Sequence, residues 1–223
     1  MSGLWITFEG GEGSGKTTQL RRLAERLRRP GGTTVVCTRE PGGTELGRRI
    51  RSLVLDPAAG SLDPLAELLL YTADRAQHLV EVVLPALREG AVVLCDRYVD
   101  ATLAYQGHGR QLGVGAVLSL HAAAPLDARP DRTLLFDLPV AEGLGRARQR
   151  NRRHDTQTAE GRFEGEALAF HERVRQGYLE LAASAPERFR VIAATGTVAQ
   201  VGRRVLRAVA DLPALAVAVQ ERR

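Results

Sequence analysis

The stretch Phe8 to Thr17, FEGGEGSGKT, decides the fold. It follows an apolar run, Leu4–Phe8, and opens a segment, Lys16–Arg29, in which Leu20, Leu23 and Leu27 share one helical face. Gly10, then four residues, then Gly15-Lys16-Thr17 is the spacing of a phosphate-binding loop set between a strand and a helix. Glycines let main-chain amides turn inward around an anion, and the helix N-terminus adds its dipole. Gly10, Gly11, Glu12, Gly13, Ser14, Gly15, Lys16, Thr17 and Thr18 are therefore expected to line a polyphosphate site, with the Thr17 hydroxyl available to Mg2+.

Two residues of the loop stand out. The chain carries 30 arginines and one lysine, and that lysine is Lys16. Arginine is a planar fork; lysine is a compact charge on a flexible stem, and only the latter reaches terminal phosphates through a narrow loop. Glu12 is the second: a carboxylate among phosphate-binding amides is costly unless a donor faces it.

The remaining chain fits one soluble globular domain. It has 223 residues, 44% of them hydrophobic and 26% charged, with a net charge of +5 that favours anionic ligands. Aromatic residues are only 4% of the chain and no basic stretch alternates with them, so nucleic acid is not an expected partner, and no apolar run approaches the length of a membrane span, so a membrane is not expected either. The N-terminus shows no secretory pattern, and Cys37 and Cys95 both sit in apolar runs, which predicts two buried free thiols in the cytoplasm.

Five apolar runs (Leu4–Phe8, Thr34–Thr38, Ala91–Cys95, Thr133–Phe136 and Arg190–Ala193) read as strands of a parallel sheet covered on both faces. Helical patterns lie between them at Leu65–Arg88, Val114–Ala123, Val140–Arg150, Glu164–Ala183 and Thr197–Ala210, with Pro85 kinking or dividing the first. The alternation predicts an α/β, doubly wound, five-stranded parallel sheet flanked by helices. A polar stretch, Gln149–Gly161, reads as a mobile loop, and the tail from Leu212 as a weak or frayed helix. The expected plan is one domain over residues 1–212 with a short lid near 149–163, then a tail over 213–223.

Asp96-Arg97-Tyr98 ends the third strand beside the loop, where Asp96 can serve Mg2+ and Arg97 a second phosphate. The second strand runs into Arg39-Glu40-Pro41-Gly42-Gly43-Thr44, a tight turn that aims Arg39 at the cleft. With one lysine the chain cannot hold the Asn-Lys-x-Asp motif of regulatory GTPases, and no transporter-type signature is present, which leaves a small-molecule kinase.

FEGGEGSGKTTQ, TREPGGTELG, LLLYTADRAQH, DRYVDATLAYQG and RFEGEALAFHERVRQGYLELA occur in the order and spacing of one family: the chain resembles the thymidylate kinases over nearly its whole length. The resemblance implies transfer of the ATP γ-phosphoryl to dTMP with Mg2+, in a cytoplasmic homodimer. It places thymine on Tyr71, its carbonyl against Arg75, and its edge near Thr102 and Gln106. Tyr105 would lie along the deoxyribose, Glu12 would bind the 3′-hydroxyl, and Arg39 and Arg97, with Arg51 nearby, would hold the acceptor phosphate. The loop lacks the arginine some relatives carry, so the lid would supply it: Arg153, or a neighbour among Arg150, Arg152 and Arg162. Lys16, Arg39, Asp96, Arg97 and Arg153 are the expected catalytic set, Arg150 a further nucleotide contact, and Thr17 and Asp96 the metal ligands. Three positions depart from the pattern: Ala101 for serine, Gly161 for the lid aspartate and Tyr71 for phenylalanine. A monophosphate kinase for dUMP or dCMP, or a regulator without transfer activity, are the alternative readings.

Overall fold

A computed structural model describes residues 3–28, 33–122, 127–153 and 161–215. Five parallel strands, β1 (Leu4–Glu9), β2 (Val35–Arg39), β3 (Val92–Asp96), β4 (Arg132–Asp137) and β5 (Phe189–Ala193), form one sheet in the order β2-β3-β1-β4-β5. All five are the expected apolar runs. Four of them extend one residue further than expected, to Glu9, Arg39, Asp96 and Asp137. Apolar content marks where a strand is covered by helices; pairing continues past it, so the carboxyl edge carries charge.

The helices are α1 (Lys16–Leu27), α2 (Glu45–Leu55), α3 (Pro64–His78), α4 (Leu84–Arg88), α5 (Val99–Thr102), α6 (Val114–His121), α7 (Val140–Arg153), α8 (Leu168–Ser184) and α9 (Val198–Ala208). Between α3 and α4 the chain widens into a π turn, Leu79–Val83. Pro85, which has no N–H to give the ladder, follows directly, so the long helix is divided where expected but by a widened turn. A second π segment, Leu103–Gly109, continues α5. Neither α2 nor the α5 segment was expected. The α5 segment begins with a single turn of four residues, and α2 opens on a cap, where the Thr44 hydroxyl accepts from the Gly47 amide at 2.9 Å.

Three further differences have local causes. The helix expected from Glu164 begins at Leu168, because Phe163–Gly165 forms a tight 3-10 turn. The stretch from Gln149 is helical as far as Arg153, since α7 continues, and residues 154–160 lie outside the described residues. Cys95 is buried, but Cys37 is exposed, because β2 is an edge strand and that residue faces outward.

One core packs α1 and α9 against the sheet through Ile6, Phe8, Leu23, Leu134 and Val205, and Leu212 and Leu215 close it. On the other side Trp5, Leu68, Leu79 and Tyr98 join α3 to the sheet, and Ile50, Tyr105, Leu135 and Tyr178 join α2, the second π segment and α8. The carboxyl edges of β1 and β3 are thus held rigidly beside one another, with Phe8 opposite Asp96. The tail beyond Leu215 lies outside the described residues.

Candidate active site

The loop between β1 and α1 is folded around its own lysine. Lys16 Nζ donates to the carbonyls of Gly10 at 3.0 Å and Gly11 at 2.8 Å and to Ser14 Oγ at 3.2 Å. Burial and the nearby Arg97 push its ammonium down to about 8, while Glu12, Asp96 and Glu9 oppose them. Gly15 adopts a left-handed φ of 86° at the start of α1. Gly13 and Gly143 are packed backbone to backbone: a Cβ on Gly13 would come within 2.0 Å of the Gly143 carbonyl. The loop is therefore braced from behind by α7.

Glu12 has donors. Its Oε1 accepts from Arg97 Nη2 at 2.8 Å and from the Tyr105 hydroxyl at 2.8 Å. Burial pushes its carboxyl up, but Arg97 and Lys16 outweigh it and hold the group at about 2. Arg97 sits at a left-handed φ of 71°, rare for a residue with a side chain. That turn brings its guanidinium back over the loop, where Nη1 donates to the Gly10 carbonyl at 3.0 Å and the group stacks 4.9 Å from the Tyr105 ring centroid. Behind it, Glu9 accepts from the Tyr98 amide at 2.7 Å and the Tyr178 hydroxyl at 2.8 Å. Burial, then Asp100, pushes Glu9 up to about 8. Thr17 Oγ1 donates to Asp96 across the loop.

Two cavities meet at this point. An open cleft of about 1320 Å³ is lined by Glu12 to Thr18, Arg39, Arg51, Asp96, Arg97, Arg146 and Arg150. A second cavity of about 700 Å³ is lined by Tyr71, Arg75, Thr102, Tyr105 and Gln106, and shares Glu12, Glu40, Arg51 and Arg97 with the first. All the residues expected to hold the acceptor, except Arg39, line this second cavity. Arg39 is exposed and lines only the cleft. Arg51 donates to the Pro41 carbonyl at 3.0 Å.

Arg75 is buried at 2% exposure, which removes any reading of it as a surface charge. Nε donates to Glu40 at 2.9 Å and Nη2 to Thr102 at 2.8 Å, and the guanidinium stacks on Tyr98. Glu40 also pairs with His78 Nδ1 at 2.8 Å, whose Nε2 meets Thr38 Oγ1 at 2.7 Å. Tyr71 lies one turn before Arg75, and burial, then Glu67, raises its hydroxyl well above the usual range.

The arginines expected in the lid separate. Arg150 lines the cleft and donates to Glu164 at 3.1 Å. The backbone of Arg152 and Arg153 closes α7, while their side chains lie outside the described residues. Arg162 faces elsewhere: it donates to the Val54 carbonyl at 2.7 Å and to Glu67. Sequence reading missed Arg146, although its place one turn before Arg150 on α7 was available. It also missed Glu40 and Glu67, buried carboxylates whose partners are more than 25 residues away.

Two oxygen donors, Thr17 and Asp96, face each other beside the phosphate loop, which suits a small hard cation that completes its shell with phosphate and water. A braced phosphate loop, a carboxylate-ended neighbouring strand and a second cavity within reach define a P-loop phosphotransferase of the nucleoside monophosphate kinase type. A family model described as Thymidylate kinase matches residues 8–205. A thymidylate kinase of Desulfosudis oleivorans is 53% identical over 210 residues, covering 94% of this chain and 98% of its own. One of Nitratidesulfovibrio vulgaris is 54% identical over 206 residues, 92% and 95% of the two chains. The crystal structure of thymidylate kinase from Ehrlichia chaffeensis superposes with a TM-score of 0.71 at 34% identity, covering 93% of this chain and 98% of that one. The chain belongs to the thymidylate kinase family.

Proposed function

We propose that ATP, carried as its Mg2+ complex, is the donor in the reaction this enzyme catalyses, the phosphorylation of dTMP in nucleotide biosynthesis. The observation that carries the assignment is the junction of two cavities at Glu12, Glu40, Arg51 and Arg97. A donor in the cleft and an acceptor in the second cavity meet there with cations around the transferring group.

In this reading the loop amides and Lys16 hold the β- and γ-phosphates. Thr17 and Asp96 hold Mg2+, which neutralises charge on the donor. Arg97 grips the acceptor phosphate from its strained turn, with Arg39 and Arg51 alongside. Tyr71 supplies a π-face to the base, Arg75 a donor to its carbonyl, and Tyr105 a wall against the sugar. The Arg97 guanidinium and Tyr105 hydroxyl fix Glu12 where it can accept from the 3′-hydroxyl. Arg146 and Arg150 approach from α7, and Arg153, one turn further on, is the lid arginine proposed to close on the γ-phosphate. Catalysis is then alignment and electrostatic stabilisation, with no covalent work for the protein.

The enzyme is further proposed to be a cytoplasmic homodimer. Leu46, Leu53, Leu65, Leu69, Val80 and Leu118 are exposed on α2, α3, the π turn after α3 and α6, elements that pack together in the order α2, α3, α6. A second copy would cover them. No helix among the described residues is long and apolar enough to cross a membrane.

A coupled assay with ATP and a panel of dTMP, dUMP, dCMP and dGMP tests the reading. Preferred turnover of dTMP is the expected result. Nucleotide hydrolysis that ignores the acceptor would refute it, and preference for another monophosphate would reassign the second cavity.

A further inference from the structure

Glu67 on α3 has no solvent exposure, and four donor atoms of three residues, from two parts of the chain, converge on it. Its Oε1 accepts from Gln106 Nε2 at 2.7 Å and from Arg110 Nε at 3.3 Å. Its Oε2 accepts from Arg110 Nη2 at 3.2 Å and from Arg162. Arg110 is in turn held by Glu166 at 2.6 Å. Glu67 itself does not line the acceptor cavity, whereas Gln106 does.

A primary amide has a donor end and an acceptor end, and it can usually turn over to suit either neighbour. Next to a carboxylate already paired with two guanidinium groups it cannot, because that carboxylate offers only lone pairs. The amino end of Gln106 must face Glu67. Its Oε1 receives no hydrogen bond from another described residue, so the carbonyl is the end left for the cavity.

We propose that Glu67 is a positioning residue for base choice: by fixing the Gln106 amide, it presents an acceptor to the ring edge of the substrate. This rests on the second cavity being the dTMP site. Thymine and uracil carry a proton on N3 and can donate to that carbonyl. Cytosine has a bare lone pair there and is repelled. Arg75, which has only donors, imposes the matching rule one atom away, favouring a ring carbonyl over an amino group. Glu67 thus selects oxo-pyrimidines over amino-pyrimidines, and has no part in telling thymine from uracil.

The test is kcat/KM for dTMP and dCMP in the wild type, Glu67→Gln, Gln106→Leu and the double variant, with KM for ATP measured alongside. A neutral amide at 67 can donate as well as accept, so Gln106 is free to turn. The dTMP:dCMP ratio is expected to fall about tenfold in Glu67→Gln, with KM for ATP unchanged. It should fall similarly in Gln106→Leu and no further in the double variant. A Glu67→Gln enzyme that loses both acceptors in proportion would make Glu67 merely structural and overturn the proposal. So would a double variant whose two losses multiply. Should Glu67→Gln fail to fold, the wild type still decides. The Gln106 side-chain amide protons, assigned by their loss in Gln106→Leu, must exchange slowly and stay protected when dTMP is added. Exchange at the rate of a free amide overturns the inference. A wild type indifferent to dTMP would instead bring down the assignment of the cavity.

Discussion

Lys16 is an ammonium group seated where an ammonium is hard to keep. Three loop oxygens hold it, but burial and Arg97 lower it to about 8 from the ordinary lysine value. The sign of the consequence is fixed. Between about 8 and the unfolded value the unfolded chain binds the proton and the folded chain does not, so this group makes the protein more stable as pH rises through that window. Catalysis runs the other way, since only the charged form attracts phosphate. The profile of kcat/KM for ATP should fall above about pH 8, and the limb in kcat should lie higher, because bound phosphates favour the proton. Lys16→Ala should lower kcat by at least about a hundredfold with an unchanged circular dichroism spectrum. Near-normal turnover would remove the lysine from the mechanism. At this scale the sequence was most informative. The loop, Asp96 and Arg97 announce themselves by motif, Tyr71 and Arg75 only through the family resemblance, and all of them line the two joined cavities. Glu40 and Glu67 were illegible, since a buried carboxylate is identified by partners that only folding brings near.

Among the elements, α7 does two things. Beyond its first turn it carries Arg146 and Arg150 to the cleft, and that first turn supports the phosphate loop. A Cβ on Gly143 would come within 2.4 Å of the Glu12 carbonyl, and the neighbour it strikes is backbone, which cannot rotate away. Gly143→Ala should therefore shift the loop, lowering kcat about tenfold or more and stability by about 1–3 kcal/mol. Calorimetry with steady-state kinetics reads both, and a variant with wild-type kcat would show that the brace is dispensable. The elements were legible in proportion to their apolar run. All five strands and the helices α1, α3, α6, α7, α8 and α9 were, whereas α2 and α5 with its π segment were not. In the α5 segment, the widened turn breaks the regular spacing that sequence reading depends on, in the region that brings Thr102, Tyr105 and Gln106 to one cavity.

For the whole molecule, the parallel order β2-β3-β1-β4-β5 leaves β2 at an edge, and α2, α3 and α6 carry the exposed leucines. If a second copy covers them, a charge placed there should divide the assembly. At micromolar concentration the wild type is expected to sediment as a dimer and Leu69→Glu as a monomer. An unchanged sedimentation coefficient would locate the contact elsewhere. Apolar content alone predicted a helix over this region without saying which residues were core. Leu68 is buried and Leu69 exposed, a distinction that needs the direction of the sheet beneath them.

The solitary lysine also makes this protein its own chemical reporter. Its side-chain amine is the one such group in the chain, it is 7% exposed, and it lines the open cleft. An acylating reagent therefore meets a single internal target, so the mass added there, and its suppression by a bound triphosphate, would count occupied loops without label, antibody or coupled enzyme.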